Sequence, residues 1–218
     1  MEIISPSNNV IVKIDSKFVE NVTNAIKMAN LNPGSQLNPA DYVNITGEVV
    51  SLPKSISKRM DYRGYTTKDV QVGDIAIFSY KVIFSFDELP DGNAGYRNLF
   101  WYKGQEYWLV DIQELYGVIR GNDIIMVNGY CMVGDLSPKS QIVLLNKEKK
   151  RKQMVANATL WHIGNNLETA PKIEAEAGDR VYYNPNRCLE YKLGEKKFGI
   201  VRQKDIGVIS IGQYSILT

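Results

Sequence analysis

Short runs of apolar and β-branched residues, separated by turn residues, recur along this chain of 218 residues. One run, Ile75–Phe78, follows the turn pair Gly73-Asp74, in which Gly adopts a positive φ freely and Asp can bond its own backbone. Another run, Asn9–Ile14, is β-branched and mostly apolar. Close spacing of short strands, with almost no helical periodicity, predicts an all-β protein built as small barrels or sandwiches.

The pattern also repeats within the chain, which predicts two copies of one fold. The turn and strand at Asp69–Phe78 recur at Ala175–Tyr183, an offset of 105 residues. A hairpin at Leu99–Val110 recurs from Leu189 at an offset of 90, and the first strand recurs at Gln141–Leu145 at an offset of 132. We therefore expect two domains, 1–134 and 135–218, of which the first has the longer loops.

Composition excludes several classes of protein. The charged fraction of 23% and hydrophobic fraction of 44% are ordinary for a globular domain, and a net charge of +2 offers no general attraction to nucleic acid or to an acidic membrane. No apolar run approaches the ~20 residues that span a bilayer. The N-terminus lacks the features of a signal peptide. We expect a cytoplasmic protein with no membrane partner.

The order of these motifs resembles the GroES family of co-chaperonins. The residues that carry the resemblance are Val10–Lys13, Gly47–Val50 and Asp69–Phe78, followed by a hairpin and a closing strand. The resemblance implies two tandem GroES-like, small, partly open β-barrels. Two copies in one chain and an insertion at 79–98 depart from the usual single-domain subunit and are closer to divergent or phage-encoded members. For a phage protein, the expected compartment is the host cytoplasm.

The resemblance also implies a function. It predicts that the chain self-associates into a ring, caps a GroEL-type chaperonin ring and acts on client proteins only indirectly. The chaperonin then binds the nucleotide, so the chain itself is expected to have no cofactor and no enzymatic activity. An alternative is a structural or assembly protein, for instance a phage component, that reuses the fold without a chaperonin partner.

A segment at 15–42 separates two strands by more residues than a structureless loop normally has. By resemblance this is the mobile loop of the first domain, which folds onto the chaperonin through a short hydrophobic segment. The second domain is expected to lack such a loop. The candidate chaperonin-binding residues are Ala25, Ile26, Lys27, Met28 and Leu31.

The same segment has a purely structural interpretation. Apolar residues recur in it at three- and four-residue spacing, as in an amphipathic helix that Asn30 and Pro33 would end. The family's usual pair of glycines is here Asn24-Ala25. The apolar residues that would form the helical face are Phe18, Val19, Val22, Ala25, Ile26 and Ala29.

No catalytic or metal-binding constellation emerges from the sequence. The lone histidine, His162, lies in an apolar strand, and Cys131 and Cys188 lack the spacing of a zinc or redox site. The basic run Lys147–Lys152 is interpreted as a solvated turn, with phosphate contact as the lesser alternative. The insertion Leu52–Thr67 is equally consistent with a family roof loop and with a solvated hairpin tip.

Aromatic residues are concentrated around the first hairpin. On a base-binding surface they would be interleaved with basic residues, but here only Arg97 and Lys103 accompany them. We therefore interpret them as core and cross-strand packing and do not expect nucleic-acid binding. They are Tyr96, Phe100, Trp101, Tyr102, Tyr107 and Trp108.

Overall fold

The computed structural model describes residues 3–21, 24, 45–88, 94–136, 140–145, 150–168, 173–193 and 196–210. Within these residues the chain is mainly β-structure in antiparallel sheets, which confirms the prediction of an all-β protein. The chain divides into two compact units between Ile124 and Ile125. Each unit contains one large sheet.

The first sheet has seven strands in the order β6-β7-β1-β2-β3-β8-β9. A separate two-stranded sheet, β4-β5, forms from the insertion at 79–98. The strands of this unit are β1 (Asn9–Ile14), β2 (Thr46–Ser51), β3 (Ile75–Phe78), β4 (Phe86–Glu88), β5 (Ala94–Tyr96), β6 (Leu99–Tyr102), β7 (Gln105–Asp111), β8 (Leu115–Arg120) and β9 (Asp123–Met126).

The second sheet follows the order β14-β15-β10-β12-β13-β16, with β11 paired to β12 outside this path. The strands of this unit are β10 (Tyr130–Gly134), β11 (Ser140–Leu145), β12 (Lys150–Ile163), β13 (Arg180–Tyr183), β14 (Leu189–Leu193), β15 (Lys196–Arg202) and β16 (Ile206–Ser210).

Helical structure is confined to short segments in the described residues. Residues 16–21 are helical, and a five-residue helix spans Lys58–Tyr62. Single turns of 3₁₀-helix follow strands in both units, at Tyr80–Val82, Ile112–Glu114, Pro185–Arg187 and Gln203–Asp205.

The two sheets repeat the same pairing scheme. Val12 pairs with Val49 in the first sheet and Val133 with Leu160 in the second, so the first strands are offset by 121 residues and the second strands by 111. Bulges lie at the same two places in each sheet, at Ile11/Val12 and Met132/Val133 in the first strand and at Ile77/Phe78 and Tyr182/Tyr183 in the third. Because a bulge increases local twist, the two sheets bend at equivalent positions.

The third and closing strands also correspond. Ala76 pairs with Val118 and Val181 pairs with Ile209, which gives offsets of 105 and 91 residues. The turn repeat at 105 is therefore confirmed. The hairpin and closing strand are shifted by 91 residues rather than the predicted 90. The prediction aligned the glycines of the two turns, but the strand pairs close around Lys103-Gly104 in one copy and around 194–195 in the other.

The predicted counterpart of the first strand is wrong. Gln141–Leu145 falls within β11, which pairs with β12 alone among the described strands. The true counterpart is β10, because it pairs with both β12 and β15, as β1 pairs with both β2 and β7. A β-branched run after Ser-Pro occurs at both places in the sequence, but only β10 occupies a central position. Tyr130–Gly134, assigned to the first domain from the sequence, thus lies in the second sheet.

Each unit has its own apolar core. In the first, the inward residues of β1, β3 and β7 are fully buried, with Trp108 and Phe78 the largest side chains. In the second, Leu160, Val181 and Val201 pack in one cluster with the buried Cys131. These cores hold the strands in register because a one-residue slip would turn each apolar row toward solvent.

Candidate functional site

The segment predicted to bind the chaperonin connects two strands that pair with each other, β1 and β2. Ile14, the last residue of β1, pairs with Gly47 near the start of β2. The segment after Ile14 begins with a helical turn, in which the Asp15 carboxylate accepts a hydrogen bond from the Lys17 amide at 3.0 Å and the Asp15 carbonyl accepts one from the Val19 amide at 3.1 Å. Asp15 thus caps this turn.

Val19 is buried and Phe18 is half-buried, so this first helical turn packs onto its own unit. It corresponds to the start of the amphipathic helix that the sequence offers as the alternative interpretation. The five residues predicted to contact the chaperonin, Ala25, Ile26, Lys27, Met28 and Leu31, lie outside the described residues.

The second unit has a β-hairpin where the first has segment 15–45. Strand β11 pairs with the first half of β12 from Ser140↔Val155 to Leu145↔Lys150, and β12 then continues into the main sheet. The hairpin therefore connects the first and second strands of its unit, as segment 15–45 does. Of the basic run Lys147–Lys152, the last three residues are part of β12, and 146–149 lie outside the described residues.

The turn before the third strand is built identically in the two units. Gly73 and Gly178 have φ values of 92° and 102°, a region that only glycine adopts without strain. Their amides donate to the carbonyls of Val49 and Leu160 at 2.8 and 2.7 Å. The carboxylates of Asp74 and Asp179, one residue later, accept from the amides of Gln71 and Glu176.

Asp74 differs from Asp179 in having an arginine partner. The Arg120 guanidinium donates to both carboxylate oxygens of Asp74 at 2.8 Å, and also to the carbonyl of Asp69 at 2.9 Å. This bidentate hydrogen bonding lowers the pKa of the buried Asp74 below its ordinary value, against the opposing effect of burial. This ion pair links the turn that contains Asp74 to strand β8, so its role is structural.

The connection from β2 to β3, residues 52–74, carries exposed charged and aromatic side chains. It is held to the N-terminal turn because the Ser57 amide donates to the Asn8 side-chain oxygen at 2.8 Å. The helix Lys58–Tyr62 buries none of its residues, and Tyr62 is 80% exposed. Lys54, Lys58 and Arg59 are also exposed.

The aromatic residues around the first hairpin differ in exposure: Trp108 is buried, Trp101 is exposed and the others are half-buried. Phe100 and Tyr107 stack across β6 and β7 with ring centroids 5.8 Å apart, and Tyr96 contacts the buried Trp108 edge-on at 5.2 Å. Tyr191 and Phe198 form the equivalent stack at 5.8 Å in the second unit. Trp101 is exposed at 63%. Core and cross-strand packing, as predicted from the sequence, therefore accounts for most of the set.

The histidine and the two cysteines of the chain all lie in the second unit. No group of three or more metal-ligating side chains is found in the described part of the chain. His162 pairs with Met132 within the second sheet. Cys131 and Cys188 are not joined by a disulfide, and burial raises the pKa of Cys131 to about 12. Burial also raises the pKa of Tyr183, to which the neighbouring Cys188 contributes.

An apolar groove of about 300 Å³ lies in the first unit between the N-terminal segment and the first hairpin. Ile4, Ile11, Phe100 and Leu109 line it. In the described part of the chain, no helix is both long enough and apolar enough to cross a membrane.

No protein-family model matches this chain, and no curated protein matches it either.

Two features of the site region were not predicted from the sequence. The β11–β12 hairpin was missed because Gln141–Leu145 was assigned to a central strand. The opposite charges of residues 52–74 and 164–179 were not predicted, because their equivalence depends on the strand pairings of the two sheets. A count of charged residues after each second strand would have revealed them.

Proposed function

We propose that this protein is a co-chaperonin with two tandem GroES-like β-barrels, which caps a GroEL-type chaperonin ring through segment 15–42 of the first unit. It acts as a self-associated ring, and it has no enzymatic activity and no cofactor of its own. The chaperonin supplies the nucleotide chemistry, and client proteins are affected indirectly. The protein works in the cytoplasm, which is that of the host for a phage-encoded chain.

One observation carries this proposal. The same sheet, with the same pairings and the same bulges, occurs twice in the chain, and the two copies differ in the length of the segment between their first and second strands. The offsets of 121 and 111 show that the first copy has ten more residues there. A scaffold kept constant around a variable segment supports a binding role for that segment.

The physical properties of such a segment suit reversible capping. A segment that must become ordered on binding loses conformational entropy, so each single contact is weak. Several weak contacts around a ring act together through a high effective concentration and still permit release. Within the segment, Ile26 and Met28 are the apolar residues proposed to enter the chaperonin groove.

A chaperonin-binding assay tests the proposal. The purified protein is mixed with a GroEL-type chaperonin, with and without ATP, and complexes are separated by size. We expect a nucleotide-dependent complex that the double substitution Ile26→Ser, Met28→Ser weakens at least ~tenfold, since it removes the apolar groups that would be buried. Ile4→Ser is the matched control, because Ile4 is 60% exposed but lies outside the segment.

Three results would contradict the proposal: no nucleotide-dependent complex, a complex that is unaffected by the double substitution, or equal weakening by Ile4→Ser. A ring-sized oligomer without any chaperonin complex would favour the alternative, a structural or assembly protein. The native mass of the free protein therefore belongs in the same experiment.

A further inference from the structure

The connections 52–74 and 164–179 occupy equivalent positions in the two units. Each joins the second strand of its sheet to the third. Each also ends in the same turn, whose hydrogen bonds the two units share. We name them the basic connection and the acidic connection. Of the acidic connection, only 164–168 and 173–179 belong to the described residues, and the contact surface considered below lies within these.

The two connections have opposite charge. The basic connection has five lysine and arginine residues against three aspartates, and one of these aspartates, Asp74, is neutralised by Arg120. The acidic connection has four carboxylates against one lysine. The exposed basic residues of the first connection are Lys54, Lys58, Arg59 and Lys68, which outnumber its two exposed aspartates, Asp61 and Asp69. The exposed carboxylates of the second are Glu168, Glu174 and Glu176.

These exposed charges have no ion-pair partner among the described residues. The ion pairs found there join Arg97 to Asp87, Arg120 to Asp74 and Arg187 to Asp205. Because these side chains are exposed, they can interact with an oppositely charged surface of another chain.

The basic connection also has the composition of a contact surface. Tyr62 is 80% exposed on a helix that buries none of its residues. Arg59 lies on the same helix, and Arg63 follows it directly. Tyrosine and arginine are the residue types enriched at the energetic centres of protein interfaces.

We propose that the basic connection of one chain binds the acidic connection of a second copy. A contact between two different surfaces of identical chains is heterologous, and repeating it produces a ring or a filament. Opposite charges on the two surfaces favour this head-to-tail pairing, while pairing of either connection with its own copy is opposed by like charge. This contact concerns self-association only and does not require a chaperonin.

Exposed charges interact over a limited distance, so the association depends on salt. At about 0.15 M ionic strength the screening length is only ~8 Å. We therefore expect the native mass to fall toward that of the monomer as salt is raised, provided that the protein concentration is held constant.

Charge reversal tests the proposal. The first variant carries Lys58→Glu with Arg59→Glu in the basic connection, so both of its connections are acidic. The second variant carries Glu174→Lys with Glu176→Lys in the acidic connection, so both of its connections are basic. We expect each variant alone to associate at least ~tenfold more weakly than the original protein. An equimolar mixture of the two should associate again, because every contact then joins unlike charges. Sedimentation velocity at low salt measures the masses.

A control variant distinguishes the position of the reversed charges from the change in net charge. Lys81→Glu with Lys204→Glu makes the same change in net charge as the first variant, but at exposed lysines outside both connections, and should leave the mass unchanged. A chain that carries all four reversals should associate alone. Circular dichroism of every variant establishes that the sheets are retained.

The proposal is overturned if the original protein is monomeric at low salt, or if either folded variant keeps the original mass. It is also overturned if the chain with four reversals associates alone while the mixture does not. Loss of association together with retained chaperonin binding, or the reverse, would separate this contact from the proposed function.

Discussion

Gly134 has no space for a side chain. A Cβ at this position would lie 1.8 Å from Cε2 and Cζ2 of Trp161, far inside van der Waals contact. Gly134→Ala should therefore displace the indole ring and destabilise the second unit by about 2 kcal/mol. Thermal unfolding followed by tryptophan fluorescence measures this loss.

Gly207→Ala is the matched control for this substitution, because a Cβ there has no heavy atom within 4 Å. Both glycines lie in strands of the second sheet. Equal unfolding temperatures for the two variants would show that Trp161 does not limit the space at Gly134.

Asp74 should make stability depend on pH in the acid range. Its pKa is lowered in the folded protein, chiefly by the hydrogen bonds from Arg120, so the unfolded chain binds more protons at low pH. The stabilisation is complete above the ordinary aspartate pKa of 3.8 and is lost as pH falls through the lower folded value. Asp74→Asn should lower stability at neutral pH and flatten this part of the profile, as measured by denaturant unfolding from pH 2 to 7.

Asp179→Asn provides the comparison for Asp74→Asn. Asp179 makes the same bond to a backbone amide, and no arginine is paired with it among the described residues. A larger effect at Asp74 isolates the contribution of the arginine pair, whereas equal pH profiles for the two variants would assign the effect to the turn alone.

The repeated glycine turn is the clearest case in which an element was predictable from the sequence. Gly73-Asp74 and Gly178-Asp179 were recognised because few residue types satisfy a positive φ followed by a carboxylate that bonds the backbone three residues earlier. The first strand was not predictable in the same way. β-Branched runs are suitable for any strand, and only pairing on both sides identifies β10 as central.

The equivalence of the two turns predicts equivalent mutational effects. Gly73→Ala and Gly178→Ala each place a Cβ in a backbone region that L-residues avoid, and neither position has a heavy atom within 4 Å that would add a clash. Each substitution should destabilise its own unit by about 1 kcal/mol. Hydrogen exchange, resolved by unit, measures where the loss appears. Destabilisation of the opposite unit, or no effect at either site, would contradict this prediction.

At the scale of the whole molecule, the sequence correctly indicated an all-β chain with a repeated turn and strand. The correspondence of the strands could be established only from the structure. The offset between the two copies takes four values, 121, 111, 105 and 91, because each connection differs in length. The candidate chaperonin-binding residues rest on the resemblance, and their chemistry remains a prediction for the binding assay. The equivalence of the basic and acidic connections follows from the matching strand pairings of the two sheets.

The shared pairing around the first and second strands has a practical consequence. Lys13 pairs with Glu48, and Gly134 pairs with Thr159. In each unit, the segment between the first and second strands therefore begins and ends next to an equivalent pair of residues. The two units thus have attachment points with the same strand pairing, so a segment that fits one unit should also fit the other. A binding peptide inserted between the paired residues of both units would therefore be displayed twice on each chain, at attachment points with the same strand pairing.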